Sequence, residues 1–122
     1  MVLSPPPPAS AFPIETLIGD LSTPLHRRRP ESTIGDFICD AMRADAKADI
    51  ALQNPGGMRA DMDAGPITRG AMVDMDPFNN TVVTFAITGR QMRSVLSRHT
   101  PYVSGLRYRV VDRELVDVSV GG

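Results

Sequence analysis

Between Thr33 and Gly57 the sequence changes its apolar period, and that change limits the folds open to the chain more than any other feature. Ile34, Phe37, Ile38, Ala41 and Met42 recur at i, i+3, i+4, i+7 and i+8, which is one apolar stripe along a helix. Ser32 or Thr33 can cap its start by offering a side-chain oxygen to unpaired N–H groups. Asp36 falls in the first turn, and Arg43 and Lys47 lie towards the end, as the helix dipole favours. The stripe then gives way to Asp49-Ile-Ala-Leu52, a short apolar strand, which stops at Gln53-Asn-Pro-Gly-Gly57, a turn. A helix followed at once by a buried strand and a glycine turn points to an α/β arrangement.

The rest of the chain extends that pattern. Residues 1–13 hold five of the eleven prolines and read as a polyproline-like leader or linker. A strand is expected at Ile14–Ile18, then a basic turn through His26-Arg27-Arg28-Arg29. Residues 60–76 read as connector with a short helical turn at Thr68–Val73. Thr81–Thr88 alternates, with Val83, Phe85 and Ile87 on one side, and predicts a strand. Gly89–Arg98 predicts a helix that turns Met92, Val95 and Leu96 inward. Leu106–Val111 and Leu115–Val120, joined by Asp112-Arg-Glu114, predict a β-hairpin. The expectation is one α/β (α+β) domain over residues 14–122, a mixed β-sheet packed with helices.

At 122 residues, with 42% apolar and 22% charged residues, the chain is long enough for a single core. Its net charge of −1 argues against broad binding to nucleic-acid polymers. Nothing approaches the roughly 20 apolar residues of a membrane span. Met1-Val2-Leu3-Ser4 and the prolines after it have neither a basic nor an apolar segment of a signal peptide. Cys39 is the single cysteine, so no intramolecular disulfide can form and the redox compartment stays open.

Two stretches carry chemistry. In Asn54-Pro-Gly-Gly-Met-Arg59, glycines permit close backbone approach to a ligand, and Asn54 offers a donor and an acceptor. Arg59 offers a planar fork for phosphate or ribose hydroxyls. Ligands bind at strand ends of α/β sheets, but a plain surface turn has the same composition. In Asp76-Pro-Phe-Asn-Asn80, Phe78 is either a loop anchor tucked on the core or a platform for a flat ligand. His26 and His99 read as solvated, Asp61, Asp63, Asp74 and Asp76 as a solvated acidic scatter, and Cys39 as core. Met58, Met62, Met72 and Met75 follow no helical period and read as loop and core filler.

Taken in order, Glu31-Ser-Thr-Ile-Gly-Asp-Phe-Ile-Cys-Asp-Ala-Met-Arg43, Ala48–Asp61, Ala64-Gly-Pro-Ile-Thr68, Asp76–Asn80, Thr88-Gly-Arg-Gln-Met92 and Val103-Ser-Gly-Leu-Arg-Tyr108 resemble the C-terminal, nucleotide-binding domain of 5′-nucleotidases. The resemblance runs over about residues 14–122. It implies a domain that grips the nucleoside and presents its phosphate to a pair of divalent metal ions on a separate metallophosphoesterase domain. It implies ligand contacts at Asn54, Gly56, Gly57 and Arg59, a base-stacking ring at Phe78, a polar contact at Asn80 and backbone beside the base at Gly105. It also implies an arginine ahead of Gly35, for which Arg28 has the best spacing and Arg27 or Arg29 could substitute. No cofactor or metal is expected on this chain, and family members are commonly secreted or periplasmic.

Two departures go with the resemblance. Thr33 stands where many members have Asn. The family's second stacking Phe and ribose-binding Asp belong beyond a strand like Val116–Val120, so a one-sided clamp and an incomplete domain with an open sheet edge are expected. Three functional expectations follow. The chain is the recognition part of a nucleotide hydrolase and inert alone, or a stand-alone weak nucleotide-binding module, or a scaffold that self-associates as a homodimer.

Overall fold

The computed structural model describes residues 12–28 and 31–121. Most of the leader expected over residues 1–13 therefore lies outside the described residues, as does Arg29. The elements are β1 (Leu17–Leu21), α1 (Thr33–Ala46), β2 (Ala51–Gln53), a 3-10 turn (Pro55–Gly57), β3 (Gly65–Thr68), α2 (Arg69–Met75), α3 (Gly89–His99), β4 (Tyr102–Ser104), β5 (Leu106–Val111) and β6 (Glu114–Val120). The α/β class expected from the sequence is what the structure has. Its strands are shared among three two-stranded antiparallel ladders, β1 with β3, β2 with β4 and β5 with β6.

The β2–β4 ladder organises the molecule because apolar side chains cover both of its faces. Alternation sends Ala51 and Tyr102 to one side, where they pack with Ile34, Cys39, Met58, Met62 and Met75. It sends Leu52 and Val103 to the other, against Met92, Leu96 and Leu106. The helix α1 lies on the first face, and α3 with the β5–β6 hairpin on the second. Leu96 and Ile34 have no exposed surface, and each such side chain contributes about 1.5–3 kcal/mol on burial.

Local chemistry sets the ends of these elements. Ser32 Oγ accepts the Gly35 N–H at 3.1 Å and so caps α1, while Thr33 Oγ1 accepts the His26 N–H at 2.8 Å. Gly35 is a packing requirement, since a Cβ there would overlap the Tyr102 ring. Thr88 and Gln91 form a reciprocal capping box on α3. Asp112 and Arg113 both have positive φ, 50° and 68°, the two left-handed positions of a type I′ hairpin turn. The hairpin is where the sequence placed it.

Four expectations are corrected. Residues 81–88 form no strand: they pair with nothing in a ladder, and Val83 and Phe85 are 73% and 69% exposed. Alternation supplies the side chains of a strand, but a strand also needs a free edge to pair with. The first strand runs Leu17–Leu21 rather than Ile14–Ile18, fixed by its register against β3. The β3 strand itself lies inside the stretch read as connector, hidden by its Gly-Pro start. On α1, Ala41 is exposed and Cys39 is buried in its place, so the inward stripe is turned slightly from that expected.

Candidate functional site

The loop after β2 is built by its own backbone. Asn54 O accepts the Gly57 N–H at 3.0 Å and Pro55 O the Met58 N–H at 3.1 Å, closing one 3-10 turn with proline at its start. Gly57 is buried, and a Cβ there would collide with the Gln53 side-chain amide. A larger residue there would have to displace that amide, and the Gly57 N–H is already donated within the loop. Gly56 is exposed, and a Cβ there would make ordinary contact with Asn54. The Asn54 Oδ1 accepts from Gln53 Nε2 at 3.0 Å, and the Asn54 side chain is exposed.

Beyond the turn, Met58 anchors the loop in the core and Arg59 points out. The Arg59 backbone is held at both ends: its N–H donates to Met75 O at 2.7 Å, and its carbonyl accepts from Arg27 Nη1 at 3.1 Å. Leu25 and Met62 exchange two backbone hydrogen bonds of 2.9 Å, tying the basic turn alongside the loop. Met75 closes α2, whose start Thr68 caps through the Ala71 N–H. Three residues later Phe78 is 52% exposed, on a turn that Asn79 completes at a φ of 54°. The ring is not tucked on the core.

These bonds gather the segments of Arg28, Arg59 and Phe78. Asn54 and Asn80 lie elsewhere, both lining an open cleft of about 980 Å³ between β2 and residues 80–87. Gly105 lies apart, in a second cleft of about 1050 Å³ with Asp36, Asp40 and Arg43. Its φ of +86° and the closeness of Asp49 O leave no room for a side chain, so the fold alone requires glycine there.

Sequence reasoning missed the role of Asp61. Its Oδ1 accepts from the Arg27 N–H at 2.9 Å and from Arg27 Nε at 3.0 Å. The hydrogen bond from the Arg27 side chain holds the Asp61 carboxyl below the usual range. No local signal joins two residues 34 positions apart. Elsewhere, burial first, then the hydrogen bond with Glu31 and repulsion by Glu31 and Asp40, push Asp36 up to about 6. This outweighs the helix-dipole advantage expected at that position. Burial, with Asp36 and Asp40 nearby, pushes the Cys39 thiol up to about 12. Among the described residues, no group of three or more His, Cys, Asp or Glu side chains is placed to hold a metal ion.

The family model described as "5'-nucleotidase, C-terminal domain" matches residues 14–118. The trifunctional nucleotide phosphoesterase protein YfkN of Bacillus subtilis is 37% identical over 97 residues, covering 68% of this chain and 7% of that protein. The NAD 5′-nucleotidase of Haemophilus influenzae is 32% identical over 93 residues, covering 65% of this chain and 15% of that protein. Among solved structures, a 5′-nucleotidase precursor from Thermus thermophilus superposes with a TM-score of 0.74 at 32% identity, over 87% of this chain and 25% of that one. The chain thus spans a small part of the length of the proteins it matches.

Proposed function

The chain belongs to the 5′-nucleotidase C-terminal domain family, and from that membership we propose that it is the substrate-recognition part of a nucleotide hydrolase. On this reading it binds base, ribose and phosphate, and a separate metallophosphoesterase domain would hold the divalent metal pair that supplies Lewis-acid chemistry for phosphoester hydrolysis. One observation carries the reading: Arg59 is pinned by backbone bonds on both sides while its side chain is exposed, on a loop tied to the segments of Arg28 and Phe78. A guanidinium carried on backbone that is already ordered suits a phosphate, because less backbone freedom is lost on binding. An exposed ring on a tied segment suits a base, for which stacking is worth about 1–3 kcal/mol. Asn54 and Asn80, which share a cleft, then flank the approach to the nucleoside, Gly56 and Gly57 shape the turn between Asn54 and Arg59, and Gly105 serves the fold in its own cleft. Titrating the chain with AMP and adenosine tests this. Saturable binding, with amide shifts on residues 54–59 and 78–80, is expected; a flat titration of the folded chain overturns it.

A second reading rests on residues 81–88, which are uncharged, exposed for the most part and outside any ladder. Such a segment pairs readily with another chain, and a homodimer joined there is the form proposed for the isolated chain.

A further inference from the structure

Two nitrogens of the Arg27 guanidinium are engaged within the protein: Nε donates to Asp61 and Nη1 to the Arg59 carbonyl. We propose that Arg27 is a positioning residue for nucleotide phosphate, clamping the basic turn onto the Arg59 loop so that Arg28 and Arg59 face one anion together. The inference rests on the nucleotide-binding reading above and assigns to Arg27 and Asp61 a part that their exposure alone would not suggest.

The geometry carries it in three steps. First, the clamp is specific in shape. One Asp61 oxygen takes both the backbone N–H and Nε of Arg27, and the far end of the same guanidinium reaches the Arg59 carbonyl. A planar fork does this and a lysine ammonium does not. Secondly, the clamp sits at a junction. Arg28 follows Arg27 directly, and Arg59 passes the constraint through its N–H to Met75, three residues before Phe78. Thirdly, the fold does not depend on it. Both side chains are about half exposed, 46% and 51%, and such pairs add little stability, while the Leu25–Met62 bridge and the buried Met58 and Met62 hold the segments together. What the clamp adds is the placement of cations, and its neutralising contact with Asp61 keeps that carboxylate from competing with a phosphate.

Arg27→Ala and Asp61→Asn attack the clamp from opposite sides. Isothermal titration of the whole chain with AMP and with adenosine, beside a thermal melt, separates placement from folding. The expected result is that the parent prefers AMP, and that each variant binds AMP about tenfold more weakly, within the 5- to 150-fold range typical of coupled sites. Adenosine affinity and melting temperature stay close to the parent's, the double variant is no worse than either single one, and Arg27→Lys does not restore the preference. A merely structural role would weaken both ligands together, and that outcome overturns the inference. So does an AMP preference left intact in both variants. A parent chain that binds neither ligand overturns the functional reading itself, a result distinct from either.

Discussion

Phe78 and Arg59 carry separable parts of the proposed recognition, because one ring meets the base and one guanidinium the charge. Replacing Phe78 by Ala is expected to weaken AMP and adenosine alike, by about 1–3 kcal/mol. Replacing Arg59 by Ala is expected to weaken AMP by about 1.5–3 kcal/mol, the scale of a hydrogen bond to a charged group, and adenosine by much less. Titration calorimetry reads both, and binding unchanged in either variant removes that residue from the site. Neither side chain is buried, so melting temperatures should move little. Gly105→Ala is a poor probe by comparison, since a Cβ there strikes Asp49 O and the fold would suffer first. Cys39 makes a contrasting point. It is fully buried with its thiol pushed up to about 12, and the thiolate is the reactive form. The native chain should therefore resist a thiol-reactive dye that labels it fully once unfolded; rapid labelling of the native state would contradict the burial.

At the scale of elements, α1 carries the strongest pH dependence near neutrality among the described residues. Asp36 ionises near 6 in the fold, against 3.8 for an ordinary aspartate. The folded chain therefore binds more protons than the unfolded chain between those values, and its stability falls as pH rises through about 6. Asp61 is shifted the other way, so its contribution is present above the ordinary carboxylate range and lost in acid. Melting temperature should thus be level from pH 8 to about 7 and rise as pH drops from there to about 5, and Asp36→Asn should flatten that rise and gain a few degrees at pH 8. A melting curve series indifferent to pH over that window would rule out the crowding with Glu31 and Asp40. The helices α1 and α3 were legible in the sequence because their signals are local: apolar residues at helical spacing in both, and Ser32 or Thr33 as cap for α1. The hairpin was legible for the same reason. Thr81–Thr88 misled because alternation says nothing of a partner edge, and β3 was masked by glycine and proline. At the candidate site the loop could be read ahead of the structure, whereas the residues around Phe78 left open whether its ring is tucked or exposed. The Arg27–Asp61 clamp could not be read, since contact between distant positions leaves no periodic trace.

For the molecule as a whole, the unusual feature is how apolar surface is divided. Two cores lie on either side of the β2–β4 ladder, yet Val82, Val83 and Phe85 remain more than half exposed beside the cleft they share with β2. The segment Thr81–Thr88 contains no charge, proline or glycine, the composition that favours strand-to-strand association. Nothing of the kind that blunts natural edges, an edge lysine or a proline, interrupts it. Two copies can cover these segments by antiparallel pairing about a two-fold axis, an arrangement that closes and so gives a dimer rather than a filament. Sedimentation equilibrium across a range of concentrations should show self-association of the isolated chain. Val83→Lys with Phe85→Lys should shift it to monomer, since the two side chains alternate onto one side and each brings a charge that a paired strand would have to bury. Both positions are exposed, so the variant should fold and melt much as the parent does. A variant that associates as strongly as the parent would move the contact to another surface, and a parent that stays monomeric throughout would remove the dimer. Because Phe78 and Asn80 immediately precede the segment, AMP binding measured at low and high chain concentration decides one further point. Equal affinity at both means that recognition and association use separate surfaces, whereas competition between them means that covering the segment also closes the mouth of the site.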